Sequence, residues 1–430
     1  MSMEIKNFWN SGDYIKNDKN SSKYYNIVMG FGMFLSVLWI LFVKSVPFSD
    51  FSYYYNLAVS IAGGGQWGDT YTSVGYPIVL AGVFKLFGAS VFIAKVFNLF
   101  FTFVNYMCLK YILFKVKLRE IDRKIIFFVF VLFPSNIVYN SILGTELMFT
   151  SLLLAITCLY FGDAKYKYLL IGILTGLNTM IKPFFIVFFF AVFLVDFIKH
   201  KKFLLSLRNS LVVLIVCGVV ISPWIYRNTK LMGQLTYVSN NGGIVLYINN
   251  NSQNGNGRWM DVNKVENSIA KTSQYKNANR TQQNKMLSNA AKKWIKSHPV
   301  EFIKLGFKRL FNTYFFGDDI LYSTYGSGIS HNLNSLIFSS SIFIRLLVFL
   351  PAIIYILIYF LKVLFNIFKG ESHLLDEFKL YMLILFFMFT SVYFVTEGQG
   401  RYAFPETFVF VCYFYFALKY LAFKFKGIRL

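Results

Sequence analysis

Five ionisable residues stand where long apolar stretches of this 430-residue chain end, and their types suit acid–base chemistry beside an anion. Asp50 follows Pro47-Phe48-Ser49 after the first apolar run, and Glu146 follows Gly144-Thr145 at the start of another. Lys182 precedes Pro183 at a turn between two apolar segments, Arg227 follows Ser222-Pro223-Trp224, and Arg401 follows Gln399-Gly400. A carboxylate can orient or deprotonate a hydroxyl. Three cations at one depth can clamp a phosphate, arginine as a bidentate fork and lysine as a point charge. Asp50, Tyr54, Leu57 and Ile61 share one helical face. Tyr54, Tyr76, Asn228 and Tyr402 are further candidate substrate contacts. Each charge also has a plainer role. Asp50 or Ser49 can cap a short helix, Glu146 can favour a helix dipole, and a single Lys or Arg at a helix end can reach lipid head groups. That plainer role is the expectation for Lys44, Lys85 and Lys95.

The elements that must position these residues are membrane spans. Charged residues make up only 15% of the chain, against about a quarter in an ordinary soluble domain. Residues 26–43, 210–226 and 380–396 contain no ionisable side chain except Tyr and Cys. At about 1.5 Å per residue, each such run nearly crosses a hydrocarbon layer about 30 Å thick. Alternation of uncharged runs with charged loops predicts about ten spans, over 26–46, 91–114, 124–141, 145–162, 167–181, 184–198, 207–226, 342–364, 379–396 and 402–423. The fold class is therefore an all-α polytopic membrane protein. It should carry juxtamembrane helices in the first outer loop and a small mixed extracytoplasmic domain.

Sidedness follows from Lys and Arg in the short loops. Lys6, Lys16, Lys19 and Lys23, then Lys115, Lys117, Arg119, Arg123 and Lys124, then Lys165 and Lys167 fall on one side. Lys199, Lys201, Lys202, Arg208, Lys424, Lys426 and Arg429 fall there too. That side is cytoplasmic by the positive-inside rule, so both termini are expected inside. The expected divisions are a cytoplasmic N-terminus at 1–25 and a membrane core at 26–226 with an outer loop at 47–90. An outside segment at 227–335 and the last spans with a basic tail at 336–430 complete the chain. The first apolar helix lacks a cleavage site and reads as an anchor.

A net charge of +23 would suggest nucleic acid in a soluble protein. Here much of it flanks membrane spans, so anionic head groups and anionic substrates are the expected partners, not nucleic acid. Cys108, Cys158, Cys217 and Cys412 fall within apolar runs without metal-ligand spacing. There is no zinc constellation, no Walker motif and no dinucleotide motif. No cofactor is assigned, and a divalent-metal requirement stays open. Within 227–335, residues 239–259 read as loop, and 285–316 read as helix broken at Pro299. Asn249-Asn250-Asn251 and Trp259 have groups suited to sugars, but Asn-rich stretches are usually plain loops. His298 reads as a surface or packing histidine.

Several short motifs carry a family resemblance. After Asp50 come Gly63-Gly64-Gly65, Tyr71, Gly75-Tyr76-Pro77 and Leu86-Phe87-Gly88. Phe133-Pro134-Ser135 precedes Glu146, and Gly176-Leu177-Asn178-Thr179-Met180-Ile181 ends in Lys182-Pro183. Pro223-Trp224-Ile225-Tyr226-Arg227-Asn228 leads to Gly233 and Asn240-Asn241-Gly242-Gly243, and Gln399-Gly400-Arg401-Tyr402-Ala403-Phe404-Pro405 closes the series. In this order they resemble the GT-C superfamily of membrane glycosyltransferases. The branch they look most like holds the protein O-mannosyltransferases and the bacterial lipid A aminoarabinose transferases. The resemblance implies an acid at the active site just after the first span, here Asp50, as base or acceptor-orienting group. Many members place a second acid next to it, where this chain has Phe51. It further implies inverting transfer of a sugar from a polyprenyl-phosphate donor to an extracytoplasmic glycan, lipid or protein. Lys182, Arg227 and Arg401 would then meet the lipid phosphate, and Glu146 would order the site. A polymerase or ligase acting on lipid-linked glycans is the nearest rival. A transporter is another, although such folds often show two related halves and midplane charges that this sequence lacks.

Overall fold

The computed structural model describes residues 19–426. Residues 1–18 and 427–430, with Lys6, Lys16 and Arg429 of the sidedness argument, lie outside the described residues. The described residues form helices joined by loops. They are α1 (Lys19–Phe42), α2 (Ser49–Ala62), α3 (Gly75–Phe87), α4 (Val91–Lys115) and α5 (Glu120–Val131). Next come α6 (Glu146–Phe161), α7 (Lys167–Thr179), α8 (Phe188–His200) and α9 (Phe203–Met232). The segment that follows contributes α10 (Gly242–Asn249), α11 (Arg280–Ser297) and α12 (Pro299–Tyr314). The chain ends in α13 (His331–Phe368), α14 (Glu377–Val395) and α15 (Thr407–Lys426).

Seven helical segments among the described residues are long and apolar enough to cross a membrane, and each coincides with an expected span. The chain is a multi-pass membrane protein. The other three expected spans, 124–141, 145–162 and 167–181, are shorter helices of 12, 16 and 13 residues. A 12-residue helix is only about 18 Å long. Pro134 is the reason α5 is cut short, because it lacks an N–H for the helix and opens a separate turn over Pro134–Val138. α6 is the central element. It packs on α4, on α7 and on the 3₁₀ turn Gly400–Glu406, and its buried residues lie all round the helix. That burial explains why it is apolar without being amphipathic. α13 packs on α15, α15 on α5 and α5 on α1, which brings the last span back to the first.

Two expectations for the segment between α9 and α13 need correction. It contains helices and loops and no strand among the described residues, so it is not a mixed domain. Its small core joins Tyr247, Val265, Leu287 and Ala291. The stretch 239–259 is also not all loop, because α10 lies within it. The amides of Asn249, Asn250 and Asn251 are buried and donate to main-chain carbonyls of Val245, Leu246 and Tyr247. They finish the helix and do not face a sugar. The expected break at Pro299 is present: Pro299 opens α12 as its first residue, where a missing N–H costs nothing. Asn279 and Gln282 form a capping box that starts α11.

Two buried cations fix the ends of spans. Lys95 does not snorkel. It is 4% exposed, and its ammonium donates to the Ser45 carbonyl at 2.9 Å and the Ser45 hydroxyl at 3.0 Å. It thereby holds the link from α1 to α2. Arg345 of α13 pairs with Asp319 at 2.8 Å and donates to the carbonyls of Thr313 at 2.6 Å, Tyr314 at 3.1 Å and Gly400 at 2.8 Å. Tyr139 donates to the other Asp319 oxygen at 2.6 Å. Removing one member of such a buried pair leaves an uncompensated charge and costs about 3–5 kcal/mol. Arg345→Met should therefore lower the unfolding midpoint of the detergent-purified protein sharply. Asp163→Ala, which breaks the exposed pair with Lys115, should leave the midpoint unchanged. Equal shifts in the two variants would contradict the role given to the Arg345 cluster.

Candidate active site at the span ends

The five residues singled out by type lie at one end of the bundle, and four of them gather. Asp50 lies in the first turn of α2 without capping it. The N-cap position is Phe48, and no side chain caps the helix. Freed from that duty, the Asp50 carboxylate accepts from the Arg401 guanidinium at 2.8 Å. The aspartate side chain is 51% exposed, while Arg401 is 12% exposed, so the pair shows its carboxylate to the outside. Arg401 lies over the rings of Phe51 and Tyr402, with centroid distances of 5.3 and 5.4 Å. Phe51 is buried against Phe48 and Tyr322. Where a second acid would compete for the guanidinium, this chain supplies an aromatic bed for it.

Glu146 opens α6 and is 2% exposed. One oxygen accepts from Lys182 at 3.3 Å, and the other is buried without a partner. A side chain at Gly144 would place its Cβ 2.4 Å from that second oxygen and 3.1 Å from the Phe51 ring. Gly144 thus permits the first loop and the start of α6 to meet. Lys182 sits over the ring of Tyr402 at 5.2 Å and of Phe149 at 5.7 Å. Burial pushes its ammonium below the usual lysine value, and Glu146 opposes that shift. The Arg401 Nε is likewise buried and unpartnered. An unfilled donor and an unfilled acceptor in one low-dielectric site are costly unless something else meets them.

Tyr54 and Tyr76 stand edge to face at 6.3 Å, with Tyr76 donating to Asn98 at 3.4 Å. Burial raises the Tyr54 phenol well above its usual value, and the Asp50 charge adds to the effect. Tyr402 donates to Glu397 at 2.9 Å. Arg227 is engaged elsewhere. It donates to the Gly68 carbonyl at 2.6 Å and to Asn228 at 2.9 Å, and it stacks on Trp224 at 4.4 Å. Asn228 is fully buried and holds the carbonyls of Tyr237 and Val238. These two residues tie the first loop to the exit from α9. Asp50 and Glu146 are each paired with a cation. Among the described residues no three carboxylate, histidine or cysteine side chains converge.

Type and spacing did not single out Glu397, Arg258, Asp318 or Arg309. Glu397 is 3% exposed and accepts from both Tyr402 and Gln399. It is the first charge after the apolar run 380–396 and lies four residues before Arg401, which was a readable signal. Arg258 pairs with Asp318, and Asp318 lies close to Gly400. Nothing local marks that contact, because it joins residues 60 positions apart.

No family model matches the chain, and no curated protein matches it either. Solved structures do. They include ArnT from Cupriavidus metallidurans bound to undecaprenyl phosphate, at 10% identity and a TM-score of 0.43, covering 93% of this chain and 76% of that one. Another is the oligosaccharyltransferase AglB from Archaeoglobus fulgidus in complex with an inhibitory peptide and a dolichol-phosphate. It aligns at 14% identity with a TM-score of 0.50 over 95% of this chain and 51% of that one. The Archaeoglobus fulgidus oligosaccharyltransferase tethered to an acceptor peptide gives 14%, 0.50, 93% and 50% for the same quantities. The chain thus spans about half the length of the two archaeal structures. At such identity the likeness is one of fold and rests on the archaeal pair: the chain shares the membrane-bundle fold of the Archaeoglobus fulgidus oligosaccharyltransferase.

Proposed function

We propose that the protein is a glycosyltransferase that moves a sugar from a polyprenyl-phosphate donor to an acceptor outside the cytoplasmic membrane. The observation that carries this reading is the half-exposed Asp50 held by Arg401, with Lys182, itself paired with Glu146, against the same Tyr402 ring. A base and two partly buried cations stand together where spans end. In the reaction, the acceptor hydroxyl oxygen attacks the anomeric carbon and its proton passes to Asp50. The bond from that carbon to the phosphate oxygen breaks, and the electron pair leaves on polyprenyl phosphate. Arg401 and Lys182 meet the growing charge, which is where fixed cations accelerate a reaction most. Arg227 takes a lesser part, since its donors already serve Gly68 and Asn228. Glu146 holds Lys182 in place. Tyr54, Tyr76 and Tyr402 wall the site. The dolichol-phosphate bound to the archaeal AglB supports a lipid-phosphate donor. The acceptor is an envelope glycan, lipid or protein.

An outside position for the site is supported by the short-loop lysines and arginines, which collect at the opposite end of the bundle. Several of these are paired there: Lys115 with Asp163, Lys124 with Glu120, and Arg119 and Lys419 with Asp122. In a cysteine-free background, Asp69→Cys and Gly255→Cys should react with an impermeant thiol reagent in intact cells, and Phe203→Cys should not. Labelling at 203 alone would reverse the orientation and remove the functional reading with it.

Catalysis and mere pairing make different demands on Asp50. Asp50→Asn keeps the shape and loses the negative charge, and loss of a general base costs about 10²–10⁴-fold in rate. The variant should fold near the wild-type midpoint and lose about a hundredfold or more in transfer from a labelled polyprenyl-phosphate sugar. Lys182→Ala and Arg401→Ala should each weaken donor use about ten- to a hundredfold, and Arg227→Ala less, as expected for a charge-assisted bond. Full activity in a stable Asp50→Asn variant would sink the base assignment. Normal donor use in both cation variants would sink the clamp.

A further inference from the structure

The turn that presents Arg401 is gripped from outside the membrane bundle by an arginine that has no carboxylate hydrogen-bonded to it among the described residues. Arg309 lies on α12, belongs to the segment between the spans, and is 0% exposed. Its Nη1 donates to the carbonyls of Phe394 at 2.6 Å and Val395 at 3.2 Å, the last residues of α14. Its Nη2 donates to the Asn249 carbonyl and to the Asn250 side chain at 2.9 Å. Asn250 in turn donates to the same Val395 carbonyl at 3.1 Å. Gly398 N–H donates to the Gly257 carbonyl at 3.0 Å. A Cβ at Gly398 would come within 2.4 Å of the Arg309 carbonyl. Phe394 stands edge to face with Phe302 and Phe307 of the same helix. A guanidinium buried on carbonyls is expensive to keep, because its desolvation is offset mainly by hydrogen bonds, with help from the nearby Glu397 charge. Burial lowers its pKa to about 10, and the nearby Glu397 charge opposes that shift.

What it holds is the start of the segment that carries the site. From Val395 the chain runs through Glu397, which takes the Tyr402 and Gln399 donors, to Gly400, whose carbonyl is held by Arg345. One residue later Arg401 reaches Asp50. Two buried arginines from two different helices therefore fix the two ends of one short turn. Arg345 lies on α13 and also pairs with Asp319, while Arg309 and Asp319 both belong to the segment between α9 and α13.

We propose that Arg309 is a positioning residue that locks the turn 394–401 to the segment between the spans and so aims Arg401 at the lipid phosphate. The proposal rests on the glycosyl-transfer reading for the identity of that phosphate. It makes the segment between α9 and α13 part of the site's rigidity, beyond any contact it makes with an acceptor.

The test uses the full chain in nanodiscs, with two readouts. Amide hydrogen exchange of 394–402 reports the turn directly, and binding of undecaprenyl monophosphate reports Arg401. Arg309→Gln should raise exchange over 394–402 roughly tenfold while 210–226 and 380–393 keep their protection. Affinity for the lipid phosphate should fall about tenfold, and Arg309→Lys should recover part of both. If Arg309→Gln does not fold, Asn250→Ala loosens the same carbonyl from the partner side and should show the same pattern in weaker form. Unchanged exchange over 394–402 in a folded variant overturns the proposal. So does a looser turn with unchanged affinity. A wild-type protein that binds no polyprenyl phosphate defeats the glycosyl-transfer reading instead, and the exchange arm then decides alone whether Arg309 holds the turn.

Discussion

A carboxylate at residue 50 meets a guanidinium at residue 401 at 2.8 Å, across 351 positions of sequence. The guanidinium is largely enclosed, while the carboxylate is half exposed and can be solvated. The fold makes their meeting possible by packing α15 on α5 and α5 on α1. Lys95 fixes the first exit by holding Ser45, and Arg345 fixes the last entry by holding Gly400. The Asp50 side of the pair stays half open to solvent.

The second pair obeys the same constraint with a different outcome. Glu146 and Lys182 are joined at a looser 3.3 Å and are almost fully enclosed. One carboxylate oxygen is left without a partner there, as is the Arg401 Nε nearby in the chain's site. A closed and fully satisfied network would be inert. This one keeps polar capacity in reserve around Tyr402, which touches both cations through its ring. At the opposite end of the bundle the charges behave otherwise. Asp122 takes Arg119, Lys419 and the Tyr415 hydroxyl together, which leaves it little to offer a ligand.

Much of this was legible in the sequence. Apolar runs located the spans, because a bilayer sets their length. Charges at run ends gave Asp50, Glu146, Lys182 and Arg401, because depth along a helix can be counted. Azimuth cannot be counted in the same way. Lys95 looked like a snorkelling lysine, since nothing in its neighbours shows that it points at Ser45. Arg227 has the right depth and the right type, yet its donors turn to Gly68. Arg309 reads as one more basic residue on an amphipathic helix, and only the packed structure shows it buried on the carbonyls of α14. The Asn-rich stretch misled for a related reason: its amides serve the main chain of α10, a duty that composition does not reveal.

The account stands or falls on where a lipid phosphate sits. The direct measurement is a cryo-EM map of the nanodisc-embedded protein with bound undecaprenyl monophosphate. The account predicts phosphate density between Arg401 and Lys182, with the acyl chain leaving between spans and Asp50 turned toward solvent. Phosphate density at the basic end beside Lys115 and Lys419, or beside Arg227 with the Asp50–Arg401 pair undisturbed, would contradict it.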